Sequence, residues 1–257
     1  MGNKTGINYL DSTWSPITGC SGKGCKVKDQ CWARAMAKRF PQIHIPKFIR
    51  ETYKDDDLIP FSKVQFHENR LDKPLHWRKP RRIGVCFTGD MFDWQVKHER
   101  IDEIVHIMQD TKHLYFVLTK QPENLVKWYM RTNVIGGGDW THNIYWGVSC
   151  CDQDDADRMI PELLKIPGKH WVSIEPMLGS IELVSWYWRC NIDWVVIGCE
   201  SGPKRRPMPL EWTYDVVNRC QDAEIPIFVK QLNIGAKVVH DINEFPSDLQ
   251  IREWPEE

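Results

Sequence analysis

Cys20, Cys25 and Cys31 form a Cys20-x4-Cys25-x5-Cys31-Trp32 cluster near the start of the chain. Between and beside them stand Gly19, Gly22, Gly24, Lys23, Lys26 and Lys28, with almost nothing apolar. Such a loop cannot hold itself by packing, and thiols crowded in it point to a metal or a redox event. A closed structural zinc site uses four protein ligands, whereas three leave a coordination position open. An iron–sulfur cube held by three thiolates likewise leaves one iron free for a small molecule. His44 is the residue that could complete a zinc clip. Cys86, Cys190, Cys199 and Cys220 lie in apolar or helical contexts and read as core, and Cys150-Cys151 as core or rim.

A second set of candidates follows short apolar runs at 83–88, 114–119, 144–149, 171–174, 194–197 and 227–229. Their spacing of roughly 25–35 residues is that of βα units. The intervening segments read as helices. Segment 98–110 places Ile101, Ile104, Val105 and Met108 on one face. Segment 153–164 opens on acidic residues, and 210–223 carries Trp212, Val216 and Val217. Alternating strands and helices predict a parallel sheet covered on both faces. The expectation is one α/β domain over 1–257, a partial TIM-like barrel of roughly six to eight parallel strands with outer helices. Within it the cysteine loop occupies 19–32, the barrel array 83–235 and a surface tail 240–257. Segment 11–18 supplies a first strand, 31–40 a helix, 65–67 a short strand and 131–141 a loop insertion.

In such a barrel the loops after the strands form the site. They carry Thr88-Gly89-Asp90, Lys120, Ser149, Glu175, Glu200 and Lys230. The barrel reading makes Asp90, Lys120, Glu175, Glu200 and Lys230 converge at one mouth, where acids and lysines would perturb one another's titration. For each of them the plain alternative is a solvated strand end. The basic run Arg78-Lys79-Pro80-Arg81-Arg82 reads as a strand approach ahead of a phosphate contact, and Lys204-Arg205-Arg206 is the better phosphate or carboxylate candidate.

The charges nearly cancel, 34 Lys+Arg against 35 Asp+Glu, so global charge gives no sign of a nucleic-acid partner and leaves a local basic groove open. No apolar run reaches the ~20 residues of a membrane helix. The N-terminus lacks an apolar signal region, which predicts a cytoplasmic location and reduced thiols.

Taken together the motifs resemble a phage-associated, radical-SAM-like family of uncharacterised proteins. The likeness rests on Asp11-Ser-Thr-Trp14-Ser-Pro16-Ile-Thr-Gly19-Cys20, Cys31-Trp-Ala-Arg-Ala-Met-Ala-Lys-Arg39 and Leu71-Asp-Lys-Pro74-Leu-His-Trp77. It continues through Gly89-Asp-Met-Phe92, Val117-Leu-Thr-Lys120-Gln-Pro122, Trp146-Gly-Val-Ser149, Ser173-Ile-Glu175-Pro176, Gly198-Cys-Glu-Ser-Gly202, Arg206-Pro-Met208 and Phe228-Val-Lys-Gln231. The resemblance implies a radical-SAM type barrel and a [4Fe–4S] cluster on Cys20, Cys25 and Cys31. It also implies S-adenosylmethionine at the open iron, an external electron donor, and host cytoplasm if the chain is phage-encoded. Thr88, Gly89 and Asp90 would meet the methionyl amino group of S-adenosylmethionine, and Ser149 or Lys120 its carboxylate. Glu175 or Glu200 would meet the ribose or the substrate. Lys120, Glu175, Glu200 and Lys230 are the catalytic candidates, and the phage context suggests a nucleic-acid-related substrate. The loop departs from the tighter C-x3-C-x2-C of common radical-SAM proteins. Two competing readings stand beside it: a non-catalytic cluster- or zinc-binding barrel that serves as a nucleic-acid or phosphate-binding module, and a metal-free phosphate-binding barrel that uses Lys120, Lys230 and Arg206.

Overall fold

The structure is a computed structural model that describes residues 5–52, 59–132, 142–183, 191–235 and 237–255. Expectations that fall on Cys190, on Gly136–Gly138 and on most of the 131–141 loop lie outside the described residues. The chain is α/β with mostly parallel strands, and it divides into two compact units, 1–145 and 146–257.

In the first unit β1 (Ser12–Trp14), β4 (Arg82–Val85) and β5 (Leu114–Thr119) lie side by side, all parallel. Pro16 interrupts the expected 11–18 strand. After it β2 (Ile17–Thr18) forms an antiparallel pair with β3 (Gln65–Phe66). The apolar run of β5 is buried along most of its length, as suits a strand covered on both faces. The expected 83–88 strand is cut short at Val85 because Cys86 adopts a positive φ of 56°, and the chain turns into a loop at 86–93. Helix α1 (Trp32–Arg39) begins directly after Cys31, followed by α2 (Lys47–Thr52). Helix α3 (His98–Gln109) buries Ile101, Ile104, Val105 and Met108, the face its spacing predicts. Helix α4 (Pro122–Thr132) follows β5.

Strand β6 (Ile144–Ser149) crosses the boundary in sequence. In the second unit β7 (Lys169–Ile174), β8 (Trp194–Gly198) and β9 (Ile227–Ile234) are parallel neighbours. Strand β10 (Lys237–Val239) returns antiparallel on β9, a hairpin the sequence reading lacks. Helix α5 (Gln153–Leu163) is capped by the Asp152 carboxylate, which accepts from the Asp155 amide at 3.1 Å, and α6 (Leu210–Asp222) precedes β9.

Within the expected surface tail, the described residues 240–255 pack against the second unit. Phe245 and Leu249 are buried, and the Val229 amide donates to the Ile251 carbonyl at 2.9 Å. The Glu253 amide donates to the Ile227 carbonyl at 3.0 Å, and the Trp194 indole N–H to the Glu253 carbonyl at 2.9 Å. The segment thus completes the flank of β9.

Candidate metal-binding loop and its supports

The cysteine loop begins at a backbone-to-backbone contact. Gly19 donates to the Thr88 carbonyl at 3.1 Å, and Asp90 donates to the Gly19 carbonyl at 3.3 Å. A side chain at Gly89 would place its Cβ 2.8 Å from the Gly19 oxygen and 2.9 Å from Thr18 Cα. Gly19 has φ +84°, and a Cβ there would lie 2.8 Å from both His44 Cε1 and the Phe61 oxygen. Two glycines are therefore needed where the loop meets the 86–93 turn. Thr88-Gly89-Asp90 thus lies against the start of the cysteine loop. The loop is reached through β2, however, and not directly from the first strand.

Two carboxylates hold this junction. Asp90 is buried; its Oδ1 accepts from the Phe92 amide at 2.9 Å and Thr119 Oγ1 at 2.8 Å, and its Oδ2 from the Lys120 amide at 3.0 Å. Burial pushes its pKa up, against those hydrogen bonds. Its oxygens are thus spent on fastening the ends of β4 and β5. Asp93, which sequence reasoning missed, fastens the loop itself. Its Oδ2 accepts from the Ser21 amide at 2.8 Å, from Ser21 Oγ at 2.5 Å and from Gln121 Nε2 at 3.0 Å. Burial alone would raise its pKa, but hydrogen bonds from Ser21, Gln95 and Gln121 outweigh that and hold it below the usual carboxylate range.

Beneath the loop Thr18 joins two histidines. Its hydroxyl lies 3.1 Å from His44 Nδ1 and 2.7 Å from His67 Nε2. His44 Nε2 donates to the Pro60 carbonyl at 3.2 Å, so in the neutral ring Nδ1 accepts the Thr18 proton, and His67 Nε2–H donates to the Thr18 oxygen. Burial first, then the nearby Arg70 guanidinium, keeps His67 uncharged, with its pKa pushed down to about 3. Burial lowers that of His44 as well. Arg70 in turn donates to the carbonyls of Ser15, Ile43 and Gln42. Both His44 nitrogens are engaged in hydrogen bonds, to Thr18 and to the Pro60 carbonyl, so in this arrangement neither is open to a metal. No sequence pattern marks this buried trio; its members pair across 26 and 49 residues of chain.

The three thiols are free and half-exposed. Gly22 donates its amide to Cys20 Sγ at 3.3 Å. Burial, then the charges of Asp90, Asp93 and Cys25, pushes the Cys20 pKa well above the ordinary thiol range, partly offset by the Gly22 amide. Among the described residues no three Cys, His, Asp or Glu side chains are gathered as ligands. The donor set nevertheless fits an iron–sulfur cube, which takes soft thiolates. Gly22 and Gly24, both at positive φ, give the loop the freedom to draw the thiols together. The buried Thr88 hydroxyl has no hydrogen-bond partner, an unspent donor beside this loop.

In the second unit the expected candidates form two pairs. Lys230 Nζ donates to Glu175, whose other carboxylate oxygen accepts from Ser173 Oγ at 3.2 Å; Ser149 Oγ donates to the Glu175 carbonyl at 3.2 Å. Glu200 is nearly buried and takes a bidentate contact from Arg206, at 2.9 and 2.6 Å. Those hydrogen bonds hold its carboxyl below the usual range despite burial. Arg206 is therefore committed to Glu200 and is not a free phosphate ligand. Lys230 and Arg206 thus both sit in ion pairs. Cys86, Cys150, Cys151, Cys199 and Cys220 are buried, as expected, and burial pushes the pKa of Cys86 and Cys220 to about 12 and that of Cys199 to about 11.

Residues 4–249 match the family model "Protein of unknown function (DUF5131)". No curated protein matches. Among solved structures, "Spore photoproduct lyase complexed with dinucleoside spore photoproduct" aligns with a TM-score of 0.40 at 8% identity, covering 89% of this chain and 68% of that one. That degree of likeness is too low to carry a functional argument. No helix among the described residues is long and apolar enough to cross a membrane.

Proposed function

Since the chain belongs to the DUF5131 family of unknown function, we propose that it is an iron–sulfur protein whose Cys20, Cys25 and Cys31 hold a [4Fe–4S] cluster. The proposal extends to a radical S-adenosylmethionine enzyme in the cytoplasm, served by an external electron donor and acting on a nucleic-acid-related substrate. The observation that supports it most is the donor set: three free thiols on one glycine loop, with both His44 nitrogens hydrogen-bonded elsewhere. When bound, such a cluster supplies the electron that cleaves S-adenosylmethionine reductively.

The chain's own residues then have distinct tasks. Asp93 and the Gly19–Gly89 contact fix where the loop starts. Asp90 keeps the adjoining turn rigid, and Thr88 and Gly89 are the groups we assign to S-adenosylmethionine, because the Thr88 hydroxyl is unspent. Lys120, Ser149, Glu175, Glu200 and Lys230 belong to the same proposal as groups that position cofactor or substrate. Of these, the Glu175–Lys230 pair can hold and hand over a proton.

The test is anaerobic reconstitution with iron and sulfide, followed by metal analysis and electron paramagnetic resonance with and without S-adenosylmethionine. Bound iron, a spectrum altered by S-adenosylmethionine, and 5′-deoxyadenosine under reduction are expected. Replacing Cys25 with Ser should abolish the signal while leaving the fold intact. A wild-type chain that takes up zinc but no iron would sink the cluster reading. Iron without 5′-deoxyadenosine would sink the enzymatic one.

A further inference from the structure

Helix α1 carries a cation at the end where a helix least favours one. Its last turn holds Lys38 and Arg39, which suit the negative end of the helix dipole. Its first turn holds no acid, yet it holds Arg34. That side chain is half-buried, and its Nε is closed off from solvent without a hydrogen-bond partner. Among the described residues Arg34 has no hydrogen bond, ion pair or ring contact. Arg70 and Arg206, by contrast, are engaged with backbone carbonyls and with Glu200. Taking a guanidinium partly out of water with no counter-charge is unfavourable, so the stability of α1 does not account for Arg34.

What Arg34 faces is the cysteine loop. Side chains of a helix lean towards its N-terminus. Cys31 caps α1, and its carbonyl accepts from the Ala35 amide at 3.0 Å. Cap and third helical residue, here Cys31 and Arg34, stand at the spacing of a capping box, which brings two side chains to one side of the helix start. The guanidinium reaches back to Gly22: Arg34 Nη2 lies 4.0 Å from where a Cβ on that glycine would stand. The same glycine donates its amide to Cys20 Sγ at 3.3 Å. Arg34 is thereby tied by the chain to Cys31 and by contact to the glycine beside Cys20. Asp90 and Asp93 act on Cys20 with the opposite sign and oppose a thiolate there.

Three thiolates on a doubly positive [4Fe–4S] core leave one net negative charge, and one-electron reduction makes it two. A cation held nearby favours the reduced form over the oxidised one. We propose that Arg34 is a positioning residue that supplies the counter-charge of the cysteine loop: its guanidinium holds positive charge against the three thiolates and eases reduction of the cluster they hold. The sealed Nε makes no contact in this role; the charge acts through space and through the end of the side chain at Gly22. The redox half rests on the iron–sulfur reading, whereas the charge at the thiols belongs to the metal-free chain.

The test compares the wild-type chain with Arg34→Met and Arg34→Gln, which lack the charge, and with Arg34→Lys, which keeps it. All four side chains have similar helix propensity, and melting curves check the fold. In the reduced, metal-free chain the loop thiols are alkylated at one pH with anionic iodoacetate and with neutral iodoacetamide, and the ratio of the two rates is read for each cysteine by peptide mass mapping. Both reagents attack the same thiolate, so its abundance cancels and the ratio reports the local charge. Wild type and Arg34→Lys should give a ratio about threefold or more above that of the charge-free variants. In the reconstituted chain, the midpoint potential is read by electron paramagnetic resonance during a redox titration. The charge-free variants should make reduction about tenfold less favourable, a fall of about 59 mV for one electron, and Arg34→Lys should retain most of the wild-type value. The proposal is overturned if the charge-free variants keep the wild-type ratio, or if Arg34→Lys falls with them, which marks a packing role. An unchanged midpoint potential in loaded charge-free variants overturns the redox half. A wild-type chain whose ratio depends on Arg34 but which takes up no iron ends the cluster reading and upholds the counter-charge at the thiols.

Discussion

The Thr18 hydroxyl donates its one proton to Nδ1 of a neutral His44 and accepts from His67 Nε2–H, so it is burial and the nearby Arg70, not this hydrogen bond, that disfavour a charged His67. The folded pKa of His67, about 3, lies below its ordinary value of 6.5, so the unfolded chain takes up a proton first as the solution is acidified. The contribution of the neutral ring is full above pH 6.5 and is lost as pH falls towards 3. At pH 5 His67 alone costs about 2 kcal/mol of stability relative to neutral pH, and His44 acts in the same sense. Urea midpoints should therefore fall between pH 7.5 and 5, and the fall should shrink in His67→Gln; equal slopes in the two proteins would contradict the buried-neutral assignment. At the neighbouring junction, Gly89→Ala forces a Cβ to 2.8 Å from a backbone oxygen that cannot swing aside. We expect a loss of about 1–3 kcal/mol, with hydrogen exchange at the Gly19 and Asp90 amides accelerated first.

Among the elements, β5 and β6 occupy the residues their apolar runs mark, and α3 buries the face its periodicity marks. These are local patterns, legible wherever burial repeats with the period of the backbone. The end of β4 is not local in that sense, because nothing in its composition says that Cys86 turns left-handed. The tail misleads for a related reason. Phe245, Leu249 and Ile251 are spaced among polar residues, and Ile251 and Glu253 find their partners on β8 and β9, far back in sequence. The candidate site divides the same way: the three cysteines announce themselves by type and spacing, whereas Asp93 and Arg70 matter only through partners the fold brings to them. If the tail is structural, Leu249→Ala should cost about 2–5 kcal/mol by chemical denaturation. A value near zero would restore the surface-extension reading.

At the scale of the whole chain, a net charge of −1 offers no long-range attraction for polyanions. Any nucleic-acid affinity must come from local cations, and its salt dependence will be shallow compared with that of a strongly basic protein. The three cysteines all belong to the first unit, so cluster loading should protect amides in 19–32 and 86–93 from exchange and leave those of β8 and β9 unchanged. Uniform protection across the chain would contradict this local linkage. The cysteine loop is staked at its start, by the Gly19–Gly89 contact and the Ser21–Asp93 hydrogen bonds, and at its end by the first turn of α1. Its length is therefore the variable that mutation can change at least expense. Closing a loop about half as long again costs only about 0.4 kcal/mol more. Insertions and deletions between the stakes, rather than substitutions at them, are the route by which relatives of this chain would come to differ in thiol spacing while keeping the same anchorage.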